Sequence, residues 1–122
     1  MARILVVEDD EWYRALMVEM LRQDGHEAVE AGDGVQALAY LKSDPVDLMI
    51  IDMLMPNKDG VDTIMELQQL GMPIPIVAIS GGRRAVSAEF NLESARLLGV
   101  RAGLVKPFSR ADLRGALAEV ME

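Results

Sequence analysis

Val46-Asp-Leu-Met-Ile-Ile-Asp52-Met-Leu-Met-Pro56-Asn-Lys-Asp-Gly60 runs an apolar segment straight into a carboxylate and then into a turn. Leu48 to Ile51 show no polar alternation, the pattern of a strand covered on both faces. Pro56 cannot donate to a ladder, and Asn57-Lys58-Asp59-Gly60 is turn chemistry. The strand is therefore expected to stop near Ile51 and leave Asp52 at its carboxyl end. In an open parallel sheet that end is where ligands bind. A single Asp there also suits a helix cap or a loop, so its meaning depends on what the other strand ends deliver.

Upstream, Ile4-Leu5-Val6-Val7 is a short apolar run that stops at Glu8-Asp9-Asp10-Glu11, a first buried strand ending in acids. Leu16 and Met20, with Ala15, are expected along one face of a helix that ends at Asp24-Gly25. Glu27 to Ala31 reads as a second strand. Asp33 suits the cap of a helix carrying Val35, Leu38 and Leu41, which Ser43-Asp44-Pro45 terminates.

Downstream, Ile64 and Leu67 mark a third helix closed by Gly71, and Ile74 to Ile79 a fourth strand ending at Ser80-Gly81-Gly82. From Arg83 to Leu98 the pattern is less regular, with Phe90, Ser94, Leu97 and Leu98 at helical spacing. Ala102 to Val105 gives a fifth strand ending at Lys106-Pro107-Phe108. Ser109 to Asp112 has the form of a capping box and opens a last helix with Leu113, Leu117 and Val120. Five alternations of strand and helix imply a parallel sheet with helices on both faces.

At 122 residues the chain is long enough for one core and too short for two, so residues 1–122 are read as a single domain. No apolar run approaches membrane-spanning length, and the opening residues lead directly into a strand, so a soluble cytoplasmic protein without a signal peptide is expected. The absence of cysteine and the single His26 direct any metal to oxygen ligands. A formal charge of −8 disfavours direct nucleic-acid binding.

Glu8 and Asp9 end the first strand, Asp52 the third, Ser80 the fourth and Lys106 the fifth, and parallel strands bring all of these to one edge. Clustered carboxylates repel, which raises their pKa values or recruits a cation. Mg2+ suits such a site because it prefers oxygen and pairs one or two carboxylates with substrate phosphate. A serine hydroxyl and a lysine ammonium both suit a phosphoryl oxygen. Asp52 is the best placed carboxylate to attack phosphorus and form an aspartyl phosphate.

Ile4-Leu-Val-Val-Glu-Asp-Asp10, Asp52-Met-Leu-Met-Pro-Asn-Lys-Asp-Gly60, Ala78-Ile-Ser80-Gly and Val105-Lys-Pro-Phe108, in this order, resemble the receiver domain of two-component response regulators. The resemblance spans essentially the whole chain. It implies a flavodoxin-like (βα)5 fold and phosphotransfer to Asp52 from a histidine kinase or histidine phosphotransfer protein. It also implies Mg2+ at Glu8, Asp9 and Asp52 with the backbone carbonyl of Leu54, a switch hydroxyl at Ser80 and a phosphoryl-pairing ammonium at Lys106. A receiver of this kind is not an enzyme in the ordinary sense, its chemistry being limited to self-phosphorylation from small donors and autodephosphorylation. Its partners would be the kinase and a downstream protein read through a switched surface, with homodimerisation left open. Two departures stand out. Gly103 occupies the position where such domains usually carry an aromatic, and the stretch from Ser80 to Lys106 is a few residues longer than usual, which would bring Arg83 and Arg84 near the site.

Three other functions compete. Gly32-Asp33-Gly34-Val35-Gln36-Ala37 fits a dinucleotide fingerprint, with Asp52 about 20 residues on as the ribose acid, but Asp33 would oppose a pyrophosphate. A haloacid-dehalogenase-like phosphatase generally needs a second Asp two residues after the nucleophile, where Leu54 stands. The third is a receiver-like scaffold that never becomes phosphorylated, against which the intact acids, hydroxyl and lysine weigh. The sequence also fits both a stand-alone regulator and a piece of a larger regulator or hybrid kinase.

Overall fold

Five short strands rich in aliphatic residues form one sheet in the order β2-β1-β3-β4-β5: β1 (Arg3–Val7), β2 (Glu27–Ala31), β3 (Leu48–Asp52), β4 (Ile76–Ser80) and β5 (Ala102–Val105). Every neighbouring pair is parallel. The computed structural model describes residues 1–55, 57–81, 93, 95–100 and 102–121. Among the described residues, the helices whose bounds are defined are α1 (Glu11–Gln23), α2 (Gly34–Leu41), α3 (Gly60–Gln69) and α4 (Arg110–Met121). This is the parallel sheet with helices on both faces expected from the alternation of strands and helices, and the flavodoxin-like, doubly wound fold that the resemblance implies.

The central strand β3 is buried at every position, as its unbroken apolar run requires. Successive strand residues point to opposite faces. Ile4, Val6, Leu48, Ile50, Val77 and Ile79 meet α1 and α4 through Met17, Leu21, Leu113 and Leu117. Leu5, Val7, Met49 and Ile51 pack with Leu38 and Leu41 of α2 and Ile64 and Leu67 of α3. Each such aliphatic side chain removed from water contributes about 1.5–3 kcal/mol before entropy is counted.

The amino ends of three helices are set by aspartates. Asp10, Asp33 and Asp59 accept from the backbone N–H of Tyr13, Gln36 and Asp62 and cap α1, α2 and α3. Removing such a cap costs about 1 kcal/mol. The expected capping box at α4 is present: Asp112 N–H donates to Ser109 Oγ, and Ser109 N–H to Asp112 Oδ2, both at 3.0 Å. Asp24, at the carboxyl end of α1, is clasped by Arg110 and Arg114 of α4. These pairs tie together the two helices on one face of the sheet.

Three local expectations are corrected. The buried face of α1 is Met17, Val18 and Leu21, whereas Ala15 is exposed and Leu16 half-buried. The apolar positions of this helix allow either phase, and packing on the sheet selects the one that brings Met17 and Leu21 inward. Val35 lies in the first turn of α2 and is 58% exposed, because the buried face of that turn is taken by Gly34 and Ala37. β4 begins at Ile76 rather than Ile74: the Pro75 carbonyl accepts from Met49 N–H, but Pro75 has no N–H with which to return a bond.

Two glycines permit close approaches that position the site loops. A Cβ on Gly34 would stand 2.0 Å from Thr63 Oγ1, and one on Gly60 would stand 2.7 Å from the backbone oxygen of Asp52. The β3–α3 loop is thereby packed against both the strand it leaves and the start of α2. Asn57, with φ of 68°, reaches Asp33 Oδ2 with its side-chain amide at 3.1 Å and fastens the same two loops.

Candidate functional site

β1 and β3 are neighbours, while the chain continues from β1 to β2 on one side and from β3 to β4 on the other. This is the switch point of an open parallel sheet, where a crevice forms outside the carboxyl ends of the strands. Val7 pairs with Ile51, which sets Glu8 and Asp52 side by side one residue further on. Ser80 ends β4 and pairs with Val105, so Lys106 follows directly beside it. Lys106 N–H donates to the Ser80 carbonyl at 2.9 Å and holds the start of the β5–α4 loop to the sheet.

Glu8, Asp52 and Ser80 are buried, at 0%, 1% and 1% exposure, and Asp9 is half-buried. The Lys106 side chain runs inward to the acids. Its Nζ donates to Asp52 Oδ2 at 2.9 Å and pairs with Glu8 Oε1. The other Asp52 oxygen, Oδ1, accepts from Leu54 N–H at 2.9 Å. Glu8 Oε2 accepts from Asp10 N–H at 3.2 Å. Asp52 is thus held at both oxygens by hydrogen-bond donors, one of them charged.

Burial pushes the Glu8 carboxyl up, the Asp52 charge adds to the effect, and Lys106 holds it back, leaving a pKa of about 7. Burial alone would lower the Lys106 pKa, but its bonds to Glu8 and Asp52 outweigh this and raise it. The lysine is therefore a lasting cation, and Glu8 is the adjustable charge of the cluster. The sequence-based expectation that crowded acids would raise a carboxyl pKa holds at Glu8, with desolvation as the larger cause.

Glu8, Asp9 and Asp52 each offer an oxygen, and these lie within 4.8 Å of one another. Asp9 Oδ1 is buried and has no hydrogen-bond partner among the described residues, an arrangement that costs free energy unless a cation or donor meets it. Hard carboxylate oxygens with one unsatisfied member fit Mg2+ rather than a soft metal.

All the expected strand-end residues arrive at this edge: Glu8, Asp9, Asp52 and Lys106 are clustered, Ser80 ends the adjacent strand, and Leu54 touches Asp52 through its backbone. Asp10, in the same acidic run, instead caps α1. Tyr13 and Arg14 were not identified from the sequence. Lys106 Nζ lies 4.6 Å from the Tyr13 ring centre. Arg14 donates to the Glu8 carbonyl at 2.7 Å and to Glu30 Oε1 at 3.1 Å, bracing the first acid loop. A helix-face pattern places Tyr13 and Arg14 near the start of α1 but carries no sign of these partners. The expectation for Arg83 and Arg84 falls outside the described residues.

The dinucleotide-like segment has a packing explanation. Gly32 N–H donates to Gln36 Oε1 at 2.7 Å, Gly34 admits Thr63, and the Asp33 carboxylate occupies the helix N-terminus that a pyrophosphate would need. The Gln36 N–H, followed by the Asn57 amide, holds the Asp33 carboxyl below its ordinary pKa, so this end stays anionic.

The sequence profile described as "Response regulator receiver domain" matches residues 4–118, and the chain belongs to this family. It is 40% identical over 116 residues to the transcriptional regulatory protein PdtaR of Mycobacterium tuberculosis, covering 94% of this chain and 54% of that protein. It is 35% identical over 121 residues to the transcriptional regulatory protein CpxR of Klebsiella pneumoniae, covering 99% of this chain and 50% of that one. The chain thus spans about half the length of these relatives. Among solved structures, the chemotaxis protein CheY4 of Vibrio cholerae superposes with a TM-score of 0.85 at 28% identity, over 98% of each chain.

Receiver domains are signalling domains of two-component systems, not classical enzymes, and they partner with histidine kinases and typically bind Mg2+. Among the described residues no helix is long and apolar enough to cross a membrane.

Proposed function

We propose that residues 1–122 form one receiver unit in which Asp52 accepts a phosphoryl group from a phosphohistidine on a kinase or phosphotransfer protein. The observation that carries this reading is the double orientation of Asp52, buried at the end of β3, by Leu54 N–H at one oxygen and Lys106 Nζ at the other. In the transfer, a bond forms between an Asp52 carboxylate oxygen and phosphorus as the bond from phosphorus to the donor imidazole nitrogen breaks. That nitrogen keeps the electron pair.

Glu8, Asp9, Asp52 and the Leu54 carbonyl would hold Mg2+, which when bound supplies positive charge to the phosphoryl oxygens. Lys106 places its ammonium beside the reacting carboxylate and pairs with the added anion. Ser80, one strand away, offers its hydroxyl to the same group. A downstream protein would read the changed surface. The chemistry is limited to accepting and losing this group, with small phosphodonors serving as substitutes for the kinase. The site and the absence of a membrane-spanning helix among the described residues fit a cytoplasmic role.

Intact mass after incubation with acetyl phosphate and Mg2+ tests the reading. The protein is expected to gain one phosphoryl group, and Asp52→Asn none. Stoichiometric labelling of the variant would overturn the assignment of Asp52.

A further inference from the structure

We propose that Tyr13 is a positioning residue of this site: its ring forms the wall that keeps the Lys106 ammonium beside Asp52, available to an anionic phosphoryl group. The inference rests on the phosphoacceptor reading of Asp52 and assigns a role to a residue outside the strand-end cluster.

Lysine carries its charge on a long, flexible stem, so an ammonium held at one point needs constraint from more than one side. Glu8 and Asp52 constrain Lys106 from the acid side. Tyr13 closes another side, with its ring centre 4.6 Å from Nζ, inside the range in which a ring face attracts a cation. The ring is itself fixed. Phe108 meets it at 5.6 Å with planes at 63°, an edge-to-face contact, and Trp12 meets it at 6.2 Å and 71°. Tyr13 N–H donates to the Asp10 cap at 3.0 Å, tying the residue to the acidic loop. Lys106 and Phe108 belong to the same β5–α4 loop, so one side chain of α1 receives both the charge and the packing residue of that loop.

A ring suits this position because of what it does not do. A carboxylate there would take an N–H of the lysine and compete with a phosphoryl oxygen for it. The ring face attracts the cation without accepting a strong hydrogen bond, and leaves the ammonium's donors to oxygens.

The test compares the full chain with Tyr13→Phe and Tyr13→Leu. Lys42, Lys58 and Lys106 are the only lysines, so the Lys106 side-chain NMR signals are readily assigned. Its ε-methylene protons should be shifted upfield by the ring in the parent and in Tyr13→Phe, and return toward ordinary values in Tyr13→Leu. Beryllofluoride affinity in Mg2+ should fall about three- to tenfold in Tyr13→Leu and stay near the parent value in Tyr13→Phe. Mg2+ affinity without beryllofluoride should stay at or above the parent value in both, since a looser ammonium competes less for Glu8 and Asp52; an unfolded variant would lose it.

An upfield shift that survives Tyr13→Leu, or unchanged beryllofluoride affinity once the shift is lost, would overturn the proposal while leaving Asp52 as phosphoacceptor. A Tyr13→Phe protein that behaves like Tyr13→Leu would overturn it too, by assigning the effect to the hydroxyl. Failure of the parent itself to bind beryllofluoride with Mg2+, the ring shift being present, would overturn the phosphoacceptor reading and with it the role of Tyr13.

Discussion

Lys106 Nζ stands 2.9 Å from Asp52 Oδ2, although the two residues are 54 positions apart in the chain. The same nitrogen pairs with Glu8, so one cation is shared by two buried acids that are also candidate Mg2+ ligands. On the phosphoacceptor reading, lysine and metal would therefore compete for the carboxylates before a phosphoryl group arrives, and would cooperate once its added anionic oxygens are present.

Lys106→Ala is accordingly expected to retain or improve Mg2+ binding and to weaken beryllofluoride binding. A charge-assisted hydrogen bond contributes about 1.5–3 kcal/mol, so the loss should be about ten- to hundredfold. Isothermal titration of both ligands checks this. A collapse of Mg2+ affinity with beryllofluoride affinity intact would make Lys106 a support of the metal site instead of a partner of the phosphoryl group.

Glu8 makes the metal-free fold pH-dependent. Its pKa is about 7 in the folded protein and near 4.5 in the unfolded chain, so the folded state holds the proton more tightly. The resulting stability is fully present below about pH 4.5, declines as pH rises, and is lost above about pH 7, with an upper bound of about 3 kcal/mol. Denaturant midpoints in chelator at pH 5, 6, 7 and 8 should fall through this window and then level off. Glu8→Gln should flatten the slope. Mg2+ affinity should rise over the same interval, since the ion requires the carboxylate.

Gly34→Ala should destabilise the protein by about 1–3 kcal/mol, the usual cost of forcing a methyl into a filled space. The new Cβ would meet Thr63 Oγ1 at 2.0 Å and the Lys58 carbonyl at 2.9 Å. Thr63→Ala in the same chain should recover part of the loss, and only part, because the Lys58 carbonyl remains. Equal destabilisation in the single and double variants would show that the side-chain contact is not the cause.

Asp24→Asn should lower Tm at neutral pH by weakening the join between α1 and α4. The hydrogen bond from Arg114, followed by that from Arg110, holds the Asp24 carboxyl well below the usual carboxylate range. This contribution is present above the ordinary carboxyl pKa and is lost as pH falls through the folded value. The difference in Tm between parent and variant should therefore narrow in acid, and also in high salt, which screens exposed pairs. A difference that widens in acid would contradict the assignment.

Much of this site was legible because parallel strands make chain order into geometry. Glu8, Asp52, Ser80 and Lys106 each follow an apolar run, and parallel runs must end at the same edge. The resemblance placed the clustered acids at Glu8 and Asp9 and left Asp10 out, but the capping role of Asp10 was not legible from residue type. Asp9 and Asp10 are the same residue type in adjacent positions, and only the path of the chain into α1 turns Asp10 toward Tyr13 N–H and Asp9 toward the other carboxylates.

Hydrophobic spacing, turn residues and caps act over a few positions, so outside the irregular stretch from Arg83 to Leu98 the amino-acid order alone indicates the succession of elements, the layered fold and which residues reach one edge. It does not settle which side chains meet across that edge and across the layers. Lys106 on Tyr13, Arg14 on the Glu8 carbonyl, Gly34 against Thr63, and the buried phase of α1 through Met17 and Leu21 all come from the packed fold. Those contacts join residues distant in the chain. They depend on side-chain directions that are set when the helices pack on the sheet, and no local pattern contains that information.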